Sequence, residues 1–191
     1  MSFLNRLFGS FKKAEPNDNE KQFLELWKSL EADPNYEPAV SYYVEGFRQG
    51  GGDDAVVAGL ERLAALPGSW RAQLWLGEHA MHHDEPERGL AMFRDCMAKV
   101  SRPVPMDVLA DISAALGSAG YFREIEEIVE PAFDAKLHTI HVGSNLMRAH
   151  TEMGELDKAR KILDQLCAVR HPDFEKQLQD WTDALAKAEA S

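Results

Sequence analysis

Histidine is the residue type in this chain with the widest reach for chemistry. His79 and His83 lie four residues apart, with His82 and Asp84 beside them; His138 and His141 lie three apart, and His150 follows. On a helix such spacings share a face, so either pair could offer two imidazole nitrogens to a transition metal. A structural zinc site needs four ligands, and a catalytic one needs three and a water. Neither pair has an evident third or fourth ligand nearby. The expectation is no metal and no cofactor, with histidines that are solvated or line a groove. A histidine-based metal-binding protein is the alternative.

Other chemistry leaves little trace. The chain has no Gly-x-Ser-x-Gly, no His-Glu-x-x-His and no glycine-rich phosphate loop before a helix. Gly50-Gly51-Gly52 runs into Asp53-Asp54, whose charges would repel phosphate, and reads as an inter-helix turn. An enzyme is not expected. Residues 1–13 differ from the rest: Phe3, Leu4, Leu7, Phe8 and Phe11 would share one side of a helix, flanked by Arg6, Lys12 and Lys13. That pattern suits weak, reversible contact with an anionic membrane surface or docking in a partner's groove. A disordered or locally packed arm is the other reading.

Composition narrows the function classes. With 191 residues the chain suits one domain or one repeat array, and 45% hydrophobic residues can build a core. The net charge is −11, and removing the +3 of residues 1–13 leaves −14 on the remainder. Such a surface argues against nucleic acid, because phosphates need basic partners. Two cysteines, Cys96 and Cys167, are too few for a disulfide framework and read as small buried hydrophobes in a reducing cytosol. No apolar run reaches the roughly 20 residues that span a bilayer, and the segment around Phe3–Phe8 lacks a secretory cleavage site. The expected location is cytoplasmic, with the arm as a route to peripheral contact on the inner membrane face.

The elements that must position these residues are helices. Ala14–Glu20 reads as a linker, and Phe23, Leu26, Trp27 and Leu30 recur at helical spacing until Pro34 ends the pattern. Turn residues then fall at Gly51, Asp84, Gly120 and Gly154, giving intervals of 33, 36 and 34. The flanking segments predict helix pairs over 37–49 and 53–66, 70–83 and 86–100, 106–118 and 122–136, 139–152 and 155–169. Pro131 should kink or shorten the helix that holds it, since it removes the hydrogen bond to Glu127. Phe174, Leu178, Trp181 and Leu185 mark one apolar stripe on a final helix over 172–188, placed to cover the last pair.

A period near 34 residues with a helix–turn–helix layout resembles the tetratricopeptide repeat (TPR) family. The clearest copy holds Trp75-Leu76-Gly77, then Ala80, Gly89, Phe93 and Cys96. The fourth holds Gly154, Ala159, Leu163, Leu166 and Pro172; the third holds Gly120, Val129 and Ala132, with Leu116 and Ile125 replacing smaller or aromatic residues. Tyr43, Phe47, Gly51, Leu60 and Leu63 fit the first copy, where a one-residue shift fits almost as well. Pairs of the HEAT or Sel1 kind are the alternative.

The resemblance implies an all-α, right-handed helical-hairpin solenoid of about four pairs, with an N-terminal helix and a C-terminal capping helix. Residues 1–16 would be the amphipathic arm and linker. Residues 17–191 would be the solenoid, with repeats near 37–67, 70–101, 105–137 and 138–171 and the cap at 172–188. It further implies a concave face built from each repeat's first helix, carrying Ser41, Glu45, Arg48, Arg71, Leu74, Glu78, Met81 and His82. From the later repeats come Asp107, Ala110, Ala114, Ser118, His141, Ser144, Arg148, Thr151 and Glu152. The strongest contacts expected for another protein are Arg48, Arg71, Leu74, Glu78, Met81, His82, His141, Arg148 and Glu152. The two-carboxylate clamp of chaperone-binding relatives is missing. The function expected is a non-catalytic scaffold or adaptor that binds a peptide or helix of a partner protein; a self-associating, homo-oligomeric repeat protein is the alternative.

Overall fold

The computed structural model describes residues 18–169 and 172–189. They form nine α-helices and two single 3₁₀ turns, with no strand among the described residues. In chain order the helices are α1 (Asp18–Ala32), α2 (Glu37–Ala64), α3 (Arg71–His82), α4 (Pro86–Lys99), α5 (Met106–Ser118), α6 (Phe122–Ile128), α7 (Ile140–Glu152), α8 (Leu156–Cys167) and α9 (Glu175–Glu189). The chain divides into two compact units at Leu76–Gly77, within α3. The arm residues Phe3, Leu4, Leu7, Phe8 and Phe11 lie outside the described residues.

Left-handed backbone marks the turns. Positive φ occurs at Gly52, Asp84, Gly120 and Gly154, at intervals of 32, 36 and 34 residues, and at Gly68. Three of the turns share one hydrogen-bond pattern. Glu85 N donates to Ala80 O, Tyr121 N to Leu116 O and Glu155 N to His150 O, at 2.8–2.9 Å. Each is the six-to-one bond of a Schellman cap, which needs a left-handed residue just past the helix end. Glycine supplies that conformation without strain, and aspartate at 84 is among the few others that tolerate it. In the first turn the break falls at Gly52 (φ 70°, ψ −159°), one residue after the expected Gly51, and the kink there divides the span Glu37–Ala64 into two helical segments.

The N-terminal unit is organised around aromatic rings. Tyr43 is fully buried, 4.8 Å from Phe47 and 5.6–5.7 Å from Phe23 and Trp27 between ring centres. These rings join α1 to α2, and Arg62 lies 4.4 Å above the Trp27 ring. Asn35, in the turn between α1 and α2, reaches 33 to 36 residues ahead. Its Oδ1 accepts from the backbone N–H groups of Trp70 and Arg71 at 2.8 and 3.0 Å, and its Nδ2 donates to Gly68 O at 2.9 Å. The side chain thus satisfies N–H groups at the start of α3 that the helix itself leaves without partners.

In the C-terminal unit each helix packs on its neighbours in a staggered order. α5 contacts α6 and α7, α6 contacts α4 and α7, α7 contacts α8, and α8 contacts α9. Phe93, Leu109, Ile112, Leu116, Ile125, Leu146, Leu163 and Leu166 are all under 2% exposed. Burying side chains of this size stabilises by about 1.5–3 kcal/mol each. Two close approaches depend on glycine: a Cβ on Gly77 would lie 2.5 Å from the Phe93 ring, and one on Gly143 would lie 2.7 Å from Leu166.

Three expectations need correction. The helix expected over 122–136 ends at Ile128 and gives way to a 3₁₀ turn at Glu130–Ala132, because Pro131 has no N–H with which to continue the ladder. In α9 the buried residues are Leu178 and Leu185, while Trp181 and Phe174 are half-buried, so the tryptophan is not the anchor of that helix. Cys96 is buried, but Cys167 is exposed at the end of α8.

Candidate functional site

The last turns of α3 and the facing side of α5 enclose a cleft of about 440 Å³. Glu78, Met81, His82 and Asp84 form one wall; Asp111, Ala114, Ala115, Ser118 and Ala119 form the other. Positions 78, 81 and 82, and 111, 114, 115 and 118, recur at helical spacing, so each wall is one face of one helix. The Met81 side chain is held against α4, where a Cβ on Gly89 would sit 2.7 Å from its Sδ. His82 turns its Nδ1 to the backbone oxygen of Glu78 at 2.8 Å.

Electrostatics single out Glu78. Burial pushes its carboxyl up to about 7, the neighbouring Asp111 charge adds to the rise, and His82 opposes it. A carboxyl that titrates near neutrality inside a cleft is the kind of group that marks functional sites. A stability consequence follows. Below pH 4.5 the group is protonated in both folded and unfolded chains. As pH rises the unfolded chain releases the proton first, so the folded state loses relative stability until about pH 7. Glu78→Gln should therefore match the wild type at pH 4 and exceed it by about 1–3 kcal/mol at pH 8, read from urea midpoints. An unchanged difference between the two pH values would show that Glu78 ionises freely.

The structure sorts the expected contact residues into three groups. Glu78, Met81 and His82 come together in the cleft with Ala114 and Ser118. Arg148, Glu152 and His141 are exposed on α7; the Arg148 guanidinium lies 5.5 Å over the Phe122 ring, and His141 meets Phe174 edge-on at 5.7 Å. Arg48 is exposed and paired with Glu45 at 3.3 Å. Two others are not available to a partner. Leu74 is fully buried. Arg71 is 11% exposed: its Nε donates to Asn35 O at 3.0 Å and its guanidinium lies 4.6 Å over Trp70, so it serves the N-terminal unit's own packing.

His79 and His83 stack face to face, ring centres 3.9 Å apart and 12° from parallel. Two other histidines differ from expectation. His138 and His150 are buried rather than solvated. His138 lies between Val104 O (3.1 Å from Nε2) and the Asp134 backbone, pinning the loop before α7. The His150 ring sits between two carboxylates, Nε2 at 3.0 Å from Glu130 and Nδ1 at 3.1 Å from Glu155. Glu126, Glu130 and His150 offer donor atoms within 4.8 Å of one another. Lys158 and Arg123 already bind both Glu126 and Glu155. Hydrogen bonds from Lys158 first, and then His150, hold the Glu155 carboxyl down at about 2. Glu126 and Glu155 share Lys158 and Arg123, and Glu130 and Glu155 share the imidazole, so a metal held by Glu126, Glu130 and His150 would have to displace the cations on Glu126. The members of this network come from four separate elements, which is why sequence spacing did not reveal it.

No family model, curated protein or solved structure matches the chain. No helix among the described residues is long and apolar enough to cross a membrane.

Proposed function

We propose that the protein is a TPR-like helical solenoid that works as a non-catalytic adaptor, binding a peptide or helix of another protein along the face formed by its first helices. The observation that carries this reading is the cleft, whose walls are the equivalent faces of α3 and α5. The solenoid arrangement is supported by ties that recur one repeat apart within each unit. Asn35 to Gly68 spans 33 residues, Val104 to His138 spans 34, and Ser113 to Asn145, Arg123 to Glu155 and Glu126 to Lys158 each span 32. Stacked repeats make contacts at that separation because each unit touches only its neighbours. On this reading the protein works in the cytoplasm, and the apolar-basic arm supplies an additional weak contact with a membrane or partner surface.

Ala114 is exposed in the cleft and clear of the core, so Ala114→Trp fills the groove without disturbing packing. Affinity capture from native cells, quantified by mass spectrometry, should show the wild type's main partner falling about tenfold or more with this variant, a loss of about 1.4 kcal/mol. Arg148→Ala should lower the same partner by about 1–3 kcal/mol. Equal recovery by wild type and both variants would place binding away from this face.

A further inference from the structure

The first helical hairpin is closed by the torsions of one residue. Between α3 and α4, α5 and α6, and α7 and α8, three residues stand outside the helices (83–85, 119–121 and 153–155). Within α2 every residue of Glu37–Ala64 has helical backbone except Gly52. Its φ of 70° and ψ of −159° belong to a region open to glycine almost alone. No proline follows it as Pro86 follows the second turn, and Asp53-Asp54-Ala55 can continue a helix. Residues 48–54 are all exposed, so rotating Gly52 into helical torsions uncovers no buried side chain of the turn itself.

The contacts across this hairpin do not require its two halves to belong to one chain. Phe47 packs where a Cβ on Gly59 would approach to 3.0 Å, Arg62 lies over the Trp27 ring, and Asn35 binds the backbone of Gly68, Trp70 and Arg71. Each joins a residue before Gly52 to one after it. All are remade if the halves come from two copies, and only the hinge differs. Straightening also pairs the last carbonyls of residues 37–51 with the first N–H groups of residues 53–64, groups that a helix end leaves without partners.

We propose that Gly52 is the hinge of a domain exchange: turned helical, it fuses α2 into one straight helix and passes residues 18–51 to a second copy of this chain, which returns its own. The exchange concerns the N-terminal unit alone and is independent of the adaptor reading. Two glycines give opposite expectations. Gly50 is helical in the closed hairpin and in the fused helix, with nothing within 4 Å of an added Cβ, so Gly50→Ala favours both states alike. Gly52→Ala is strained in the hairpin and favoured in the helix. A shift of about tenfold at each hinge multiplies to about a hundredfold for a dimer that contains two.

The test uses the full chain, warmed at high concentration to just below its melting temperature, cooled, and sized by chromatography with light scattering. The wild type should yield a dimer. Gly52→Ala should lower its dissociation constant by about a hundredfold, and Gly50→Ala should leave it unchanged. To identify exchange, chains spin-labelled once at Ser41→Cys are mixed before warming with chains labelled once at Ala58→Cys, both in a Cys167→Ser background. Both positions are exposed and lie on opposite sides of the hinge, and Cys96 is buried. The mixed dimer should reproduce the label-to-label distance measured within a doubly labelled monomer, which an ordinary dimer does not. A wild type or Gly52→Ala that stays monomeric, an equal shift from Gly50→Ala, or a mixed dimer lacking that distance would each overturn the proposal. The labelled mixture keeps glycine at 52, so it decides the matter even where Gly52→Ala does not fold.

Discussion

Phe93→Ala is expected to cost about 3–5 kcal/mol, the value for emptying a fully buried aromatic site. The ring is wholly inaccessible and lies directly on the backbone of Gly77, where even one added methyl group would approach to 2.5 Å. Gly77 and Phe93 therefore act as a matched pair that sets the distance between α3 and α4. Gly77→Ala should destabilise by about 1–3 kcal/mol through overpacking, although alanine is the better helix former. The decisive measurement is a double-mutant cycle in urea. Phe93→Leu combined with Gly77→Ala should be less destabilised than the two single effects added together, because the smaller side chain leaves room for the methyl. Strict additivity would show that the two positions do not share a contact.

His150→Ala is expected to cost about 3–4 kcal/mol, since it removes one partner from a buried polar network. Two effects combine. The ring's volume becomes a void, and Glu130 and Glu155 are left facing each other without the imidazole between them. Removing Glu130 as well, by Glu130→Gln, should recover part of the loss. Dialysis against a chelator should leave the wild-type melting temperature unchanged, because Lys158 and Arg123 already supply the cations. A stoichiometric rise in melting temperature with zinc, absent in His150→Ala, would instead make Glu126, Glu130 and His150 a metal centre. Acid should weaken this network progressively. Glu155 has its carboxyl lowered to about 2, so its contribution is complete above the ordinary value near 4.5, shrinks below it as the unfolded chain takes up the proton first, and is gone once pH has fallen through 2.

Much of the local architecture is legible in the chain itself. The helix expected at 106–118 is α5 residue for residue, that expected at 70–83 exceeds α3 by one residue at each end, and that expected at 139–152 exceeds α7 by one residue at its start. Asp84, Gly120 and Gly154 were readable as turns because a left-handed residue after a helix is a matter of backbone sterics. Pro131 was readable for the same reason: a missing N–H breaks a helix wherever it falls. Where local chemistry was degenerate the reading slipped, as in the run Gly50-Gly51-Gly52, whose three residues have equal freedom and of which Gly52 makes the break.

The roles of individual polar side chains needed the tertiary structure. Each step along a helix turns a side chain by about 100°, so a one-residue uncertainty in the buried face moves a residue from groove to core. That is how Leu74 came to be buried and Arg71 came to be held by Asn35. Glu78 and Asp111 are 33 positions apart, and neither is unusual until α3 and α5 bring them to one cleft. His150 looks like one more surface histidine until Pro131 shortens α6 and the following turn delivers Glu130 to its ring. Turns and helix limits depend on a residue and its immediate neighbours. Burial and titration depend on what packs against it from more than 30 residues away, and that is settled only when the helices are assembled.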